Sequence, residues 1–134
     1  MTDAKVLGEL AERCEKATAE QQASLLIEAF DLTNWRSRHR LGGAVHHNPE
    51  WMAFDRLIRA SGFLDAAMTL APEGWHTSDF HQGPSGGNWW KLSTIRGTDT
   101  YYTSVAGKAG SPALALTAAA LRARATWAAF QRKT

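Results

Sequence analysis

In the stretch Leu70-Ala71-Pro72-Glu73-Gly74-Trp75-His76-Thr77-Ser78-Asp79-Phe80-His81 the apolar period changes from about 3.6 to 2, the step from helix to strand. Upstream, Trp51, Phe54, Leu57 and Ile58 form a helical stripe behind Asn48-Pro49-Glu50. Asn48 is suited to the N-cap and Pro49 to the first turn, where a missing amide costs nothing. Gly62 breaks this helix before a second segment, Phe63 to Leu70, which Pro72 and Gly74 terminate. Downstream, Trp75–His81, Trp89–Ile95 and Tyr101–Val105 are rich in aromatic and β-branched residues and are separated by Gly83-Pro84-Ser85-Gly86-Gly87 and Arg96-Gly97-Thr98-Asp99. The simplest arrangement is a three-stranded antiparallel meander.

Ser111-Pro112 repeats the start signal, and Pro112 to about Arg132 contains neither glycine nor proline, which predicts the longest helix of the chain. Leu114, Ala118, Leu121, Ala125 and Ala128 form a close-packing stripe that Leu116, Ala120, Trp127 and Phe130 widen, so the helix is expected to be largely buried across the sheet. At the other end, Val6, Leu7, Leu10, Cys14 and Ala17 predict a helix from about Thr2 to Lys16. Thr18-Ala19-Glu20-Gln21 has the form of a capping box for a second helix, burying Ala23, Leu26, Ile27 and Phe30. Asp31 to Asn48 has no clear period and reads as a loop with one short element at most. The chain is thus expected to be a single α+β domain, with N-terminal helices over 1–31, an inserted loop and helix over 32–60 and a helix-sheet-helix core over 61–134.

With 134 residues, 44% hydrophobic and 21% charged, the chain has room for one domain of ordinary composition. That composition excludes a disordered chain, and no apolar run approaches the roughly 18 residues needed to span a bilayer. The net charge of +2 conceals an asymmetry: residues 1–31 carry −4, the remainder +6, and after Asp99 there are five bases and no acid. Such a layout steers a polyanion to one face, or docks acidic N-terminal helices on a basic C-terminal one. Cys14 is the single cysteine, so neither an intramolecular disulfide nor a cysteine-based zinc site can form. The N-terminus lacks the apolar segment of a secretory signal, and a cytoplasmic location is expected.

Two stretches, Leu64-Asp65-Ala66-Ala67-Met68-Thr69-Leu70-Ala71-Pro72-Glu73-Gly74-Trp75 and Ser111-Pro112-Ala113-Leu114-Ala115-Leu116-Thr117-Ala118-Ala119-Ala120-Leu121-Arg122-Ala123-Arg124-Ala125, resemble the small phage and prophage proteins that carry the phage ABA sandwich domain. There a leucine-rich helical turn ends in a proline-glutamate-glycine-tryptophan strand entry, and an alanine-leucine helix closes the domain. The resemblance covers about Leu64–Ala125 well and Val6–Phe30 loosely; residues 32–60 have no counterpart. It implies an α-β-α sandwich and a phage or prophage origin, and it carries over no catalytic motif.

The constellations of chemically active residue types mostly reduce to structural roles. His76 and His81 flank Asp79, and His46-His47 form a second pair, but strand positions 76 and 81 point to opposite faces whereas metal ligands must converge, so neither metal nor cofactor is expected. Gly83–Asn88 lacks the lysine-serine ending of a phosphate loop. Gly107-Lys108-Ala109-Gly110-Ser111 reads as a strand-to-helix connection with Ser111 as cap. Ser85 is not in a nucleophile elbow, and no nucleophile stands beside a base, so an enzyme is not expected.

Arg36, Arg38 and Arg40, with Trp35 and His39, combine guanidinium charge with aromatic surface. This pairing suits a protein partner, phosphates and stacked bases, or the acids of the first two helices. Trp75, Trp89 and Trp127 are assigned to the sheet–helix core, with adjacent Trp89 and Trp90 both buried, whereas Trp35 and Trp51 are left to serve a partner. The leading expectation is an accessory protein that binds a host or phage protein through Trp35, Arg36, Arg38, His39, Arg40 and Trp51. Inhibition of a host defence complex, as by an anti-CRISPR, is one form of that role. A nucleic-acid-binding accessory using Arg36–Arg40 and an unrecognised hydrolase or transferase are the alternatives.

Overall fold

A computed structural model describes residues 4–33, 49–83, 87–95 and 102–132, without the side chains of residues 95, 102 and 127–132. The elements run α1 (Ala4–Lys16), a 3-10 turn (Ala19–Gln21), α2 (Gln22–Thr33), α3 (Pro49–Arg59), α4 (Phe63–Met68), β1 (His76–Gln82), β2 (Asn88–Ile95), β3 (Tyr102–Ala109) and α5 (Pro112–Arg132). The fold is α+β, and the sheet is the expected antiparallel meander in the order β1-β2-β3.

Local chemistry explains the boundaries. The Gln21 side chain reaches back to the Thr18 amide at 3.0 Å, one half of the capping box. α3 ends at Arg59, the chain turns left-handed at Ser61 (φ 60°), one residue before the expected glycine, and the Gly62 amide closes back on the Leu57 carbonyl at 2.7 Å. Gly74, with φ 87°, turns the chain from α4 into β1. Ser111 caps α5, its hydroxyl accepting from the Leu114 amide at 3.1 Å and donating to Gln22 on α2 at 3.1 Å.

The sheet has two unlike faces. Rows Phe80–Trp90–Gly107, Thr77–Leu92–Val105 and Gln82–Asn88–Ala109 form the inner face, on which α5 lies over β2 and β3. Gly107 makes this approach possible: a Cβ there would stand 2.1 Å from the Ala115 carbonyl oxygen and 2.9 Å from the Ala118 Cβ. On its other sides α5 meets α1, α2 and α4, so Ala113–Leu121 and Ala123 are all buried. The layers therefore run sheet, α5, then the remaining helices: the helices that a sandwich sets on two sides of the sheet lie, among the described residues, around α5. This accounts for an apolar surface on α5 broader than one stripe.

The other helices show where the wheel positions shift. Leu7, Leu10, Ala11 and Cys14 bury the inner side of α1, Ala17 is half-buried, and Val6 is exposed. On α2, Leu25 and Ala29 join Leu26 and Phe30 in the core, whereas Ala23 and Ile27 are half-buried. Glu15 on α1 grips Arg122 on α5 through two hydrogen bonds of 2.6 and 2.7 Å, so the acidic N-terminal helix does dock on the basic C-terminal one. Arg122 holds the Glu15 carboxyl below its ordinary range, chiefly by hydrogen bonding.

Candidate binding surfaces

Of the six residues assigned to a partner from sequence, Trp35, Arg36, Arg38, His39 and Arg40 lie outside the described residues, as does the Asn48 cap. Trp51 lies on α3, and its indole is partly spent on the core: its ring stands 5.5 Å from Phe30 and 6.3 Å from Phe54, while Phe30 and Phe54 are 4.6 Å apart. Phe54 is buried, with Leu57 and Ile58 packed half-buried beside it. Trp51 is thus a rim residue, half-buried at the border of the core.

The opposite half of α3 borders an open cleft of about 470 Å³, lined among the described residues by Trp51, Met52, Asp55, Arg56 and Arg59. Met52 is 42% exposed, a large apolar side chain left in water beside two arginines. Arg59 donates through Nε to Asp55 at 2.8 Å, one turn back, which fixes its guanidinium along the helix. Met52, Arg56 and Arg59 were not singled out from sequence, because the polar half of an amphipathic helix ordinarily reads as solvated surface.

The outer sheet face is a second surface. Its rows are His81–Trp89–Lys108, Asp79–Lys91–Ala106 and His76–Ser93–Ser104, in which Ser93 is buried and His76, Asp79, His81, Ser104 and Lys108 are exposed. His81 stacks on Trp89 with ring centroids 5.2 Å apart and meets the Asp79 carboxylate through Nε2 at 3.0 Å. Trp89 is therefore half-buried on the outer face and not in the core, whereas Trp75 and Trp90 are buried. The Trp90 indole donates to the Thr77 hydroxyl at 3.1 Å; the buried Trp75 nitrogen has no hydrogen-bond partner among the described residues. Trp127 falls among the side chains outside the description.

A register shift between Thr77 and Asp79 corrects the reasoning about the histidines. The extra residue puts His76, Asp79 and His81 on one face, where simple alternation sets 76 and 81 on opposite faces. His76 pairs with Ser93 and His81 with Trp89, four residues apart on β2, or about 13 Å at 3.3 Å per residue. They are too distant to converge, and among the described residues no group of three histidine, cysteine or acidic side chains is placed to hold a metal.

The remaining candidates are absorbed by the fold. β3 runs on to Ala109, so Gly107-Lys108-Ala109 is strand rather than connection. Burial pushes the Cys14 thiol up to about 12, so the thiolate that would attack an electrophile is scarce at neutral pH. Arg124 donates through Nε to the Leu70 carbonyl at 2.6 Å and ties α5 to the end of α4, while burial lowers its pKa. Among the described residues no helix is long and apolar enough to cross a membrane. No family model matches the chain, and neither a curated protein nor a solved structure matches it.

Proposed function

We propose that the chain is a small accessory protein of phage or prophage origin that acts by binding a protein partner in the host cytoplasm, without catalysis. Inhibition of a host defence complex, in the manner of an anti-CRISPR, is the form of that role we put forward. The origin, and membership of the phage ABA sandwich group, rest on the sequence resemblance over about Leu64–Ala125. The supporting observation for binding is the α3 cleft. It gathers Trp51, Met52, Arg56 and Arg59 around an open space, and tryptophan, methionine and arginine are enriched where protein interfaces carry their energy.

The test is affinity capture from host lysate with the tagged chain and with a Met52→Asp/Arg56→Glu variant, each with and without nuclease. Both side chains are exposed, so the variant should keep the wild-type melting curve. The expected result is a protein retained by the wild type, unaffected by nuclease and lost with the variant. Equal retention by the two chains would overturn the reading.

A nucleic-acid partner is the second reading, favoured by the stacked His81 and Trp89 beside Lys91 and Lys108, with Arg36, Arg38 and Arg40 as further cations. It predicts that captured material is lost on nuclease treatment, and that affinity for a single-stranded oligonucleotide falls steeply with salt. A flat salt response sinks it.

A further inference from the structure

β1 is an edge strand on which all seven residues are exposed. The Gly83 amide donates to the Gly87 carbonyl at 2.7 Å, and hydrogen-bonded pairs alternate along an antiparallel ladder, so the main-chain groups of His81 and Asp79 face β2 and those of Phe80 between them face away. In agreement, the Phe80 amide is met at 2.8 Å by the carboxylate of Asp79, next to it in sequence, and not by another strand. Phe80 itself is 40% exposed, its ring resting on Trp90 at a centroid distance of 4.5 Å.

We infer that β1 is a self-association edge, at which two copies of this chain pair their β1 strands antiparallel about a two-fold axis through Phe80. The register follows from side-chain complementarity, an imidazole N–H donating to a carboxylate. Only outward-facing residues can bond across the new edge, which restricts the pairing to shifts of two residues. Centring the axis on Phe80 sets each Asp79 opposite the second copy's His81 on the outer face. A shift of two in one direction sets Asp79 against Asp79, and in the other His81 against His81. The favoured register places the acid and the imidazole in a non-hydrogen-bonded pair, where opposite side chains stand closest, and brings the two Phe80 rings together on the inner face. The contact is isologous, so one acid and one histidine supply two complementary pairs. On association the Phe80 amide exchanges the Asp79 carboxylate for the second copy's Phe80 carbonyl, and the carboxylate exchanges its own His81, which it meets at 3.0 Å, for the facing one.

Sedimentation equilibrium of the full chain over a concentration series tests this. The wild type is expected to form dimers. Asp79→Lys sets lysine against histidine, and His81→Glu sets glutamate against aspartate; each is expected to weaken association about tenfold or more. Both positions are exposed, so the melting curves serve as a control for folding. Mixing the two variants is expected to restore a dimer, because the introduced lysine then faces the introduced glutamate, and the remaining Asp79 faces the remaining His81. A wild type that stays monomeric throughout, single variants that dimerise as well as the wild type, or a mixture that fails to associate would each overturn the inference.

Discussion

The two edges of the sheet are finished in opposite ways. At β3, Lys108 turns its amide outward and Glu15 accepts it at 2.9 Å, while Ala106 turns its carbonyl outward and Arg122 donates to it at 2.9 Å. Glu15 and Arg122 also hold each other, so one ion pair from α1 and α5 covers both kinds of main-chain group. At β1 the cover is a single carboxylate from the strand itself. An unpaired strand edge templates association, and proteins usually blunt it with charge, bulges or covering elements. Among the described residues, the edge against the helices is closed by long-range contacts, and the far edge is blunted by Asp79 and a register shift.

If that contrast holds, substitutions should hurt in proportion to how far they loosen the β3 side and the inner face. Trp90→Ala removes a buried indole between Phe80 and Gly107 and is expected to cost about 3–5 kcal/mol in denaturant unfolding. An unchanged midpoint would mean that the inner face is not packed as described. Gly107→Ala forces a methyl group into the α5 backbone and is expected to cost about 3 kcal/mol, near the top of the usual overpacking range. A neutral result there would mean that α5 stands off β3.

Arg122→Met leaves the partly buried Glu15 carboxylate without its cation and should cost about 2 kcal/mol, with faster amide exchange at Lys108 as the local sign. The same pair sets a pH dependence. The Glu15 carboxyl is lowered in the folded chain, so its stabilisation is present above the ordinary carboxylate pKa and is lost as pH falls through the lowered value. Thermal melting of Glu15→Gln should therefore lose part of its dependence on acid below about pH 4. Asp79→Asn, at the exposed edge, should change stability by no more than about 0.5 kcal/mol. A large loss there would erase the contrast.

Much of this architecture is legible in local sequence. Pro49 and Pro112 each begin a helix, and the change of period at Trp75 announces the sheet. What local reading misses depends on contacts across the chain. Gly107-Lys108-Ala109-Gly110 looks like a connection, because nothing nearby reveals that Gly107 is a strand residue made small for α5. The adjacent Trp89 and Trp90 look equivalent until the layers assign one face to α5. A single extra residue near Ser78 reverses the side on which His76 would otherwise lie, and no residue type marks it. Of the expected binding set, Trp51 is placed at the rim of a cleft, whose other members among the described residues are Met52 and charged side chains of the same helix.

The position of α5 at the centre of the layers also bears on how the chain acquires its structure. Its bond to Glu15 closes a loop of 107 residues, and both the sheet and the N-terminal helices use it as their shared floor. Without that last helix the sheet and the N-terminal helices meet at little more than the edge contact between Glu15 and Lys108, so the bulk of their packing must wait for a late closure of long sequence separation. During synthesis the earlier elements would leave the ribosome with their apolar sides uncovered, and a chaperone has its widest opportunity to act before α5 is seated.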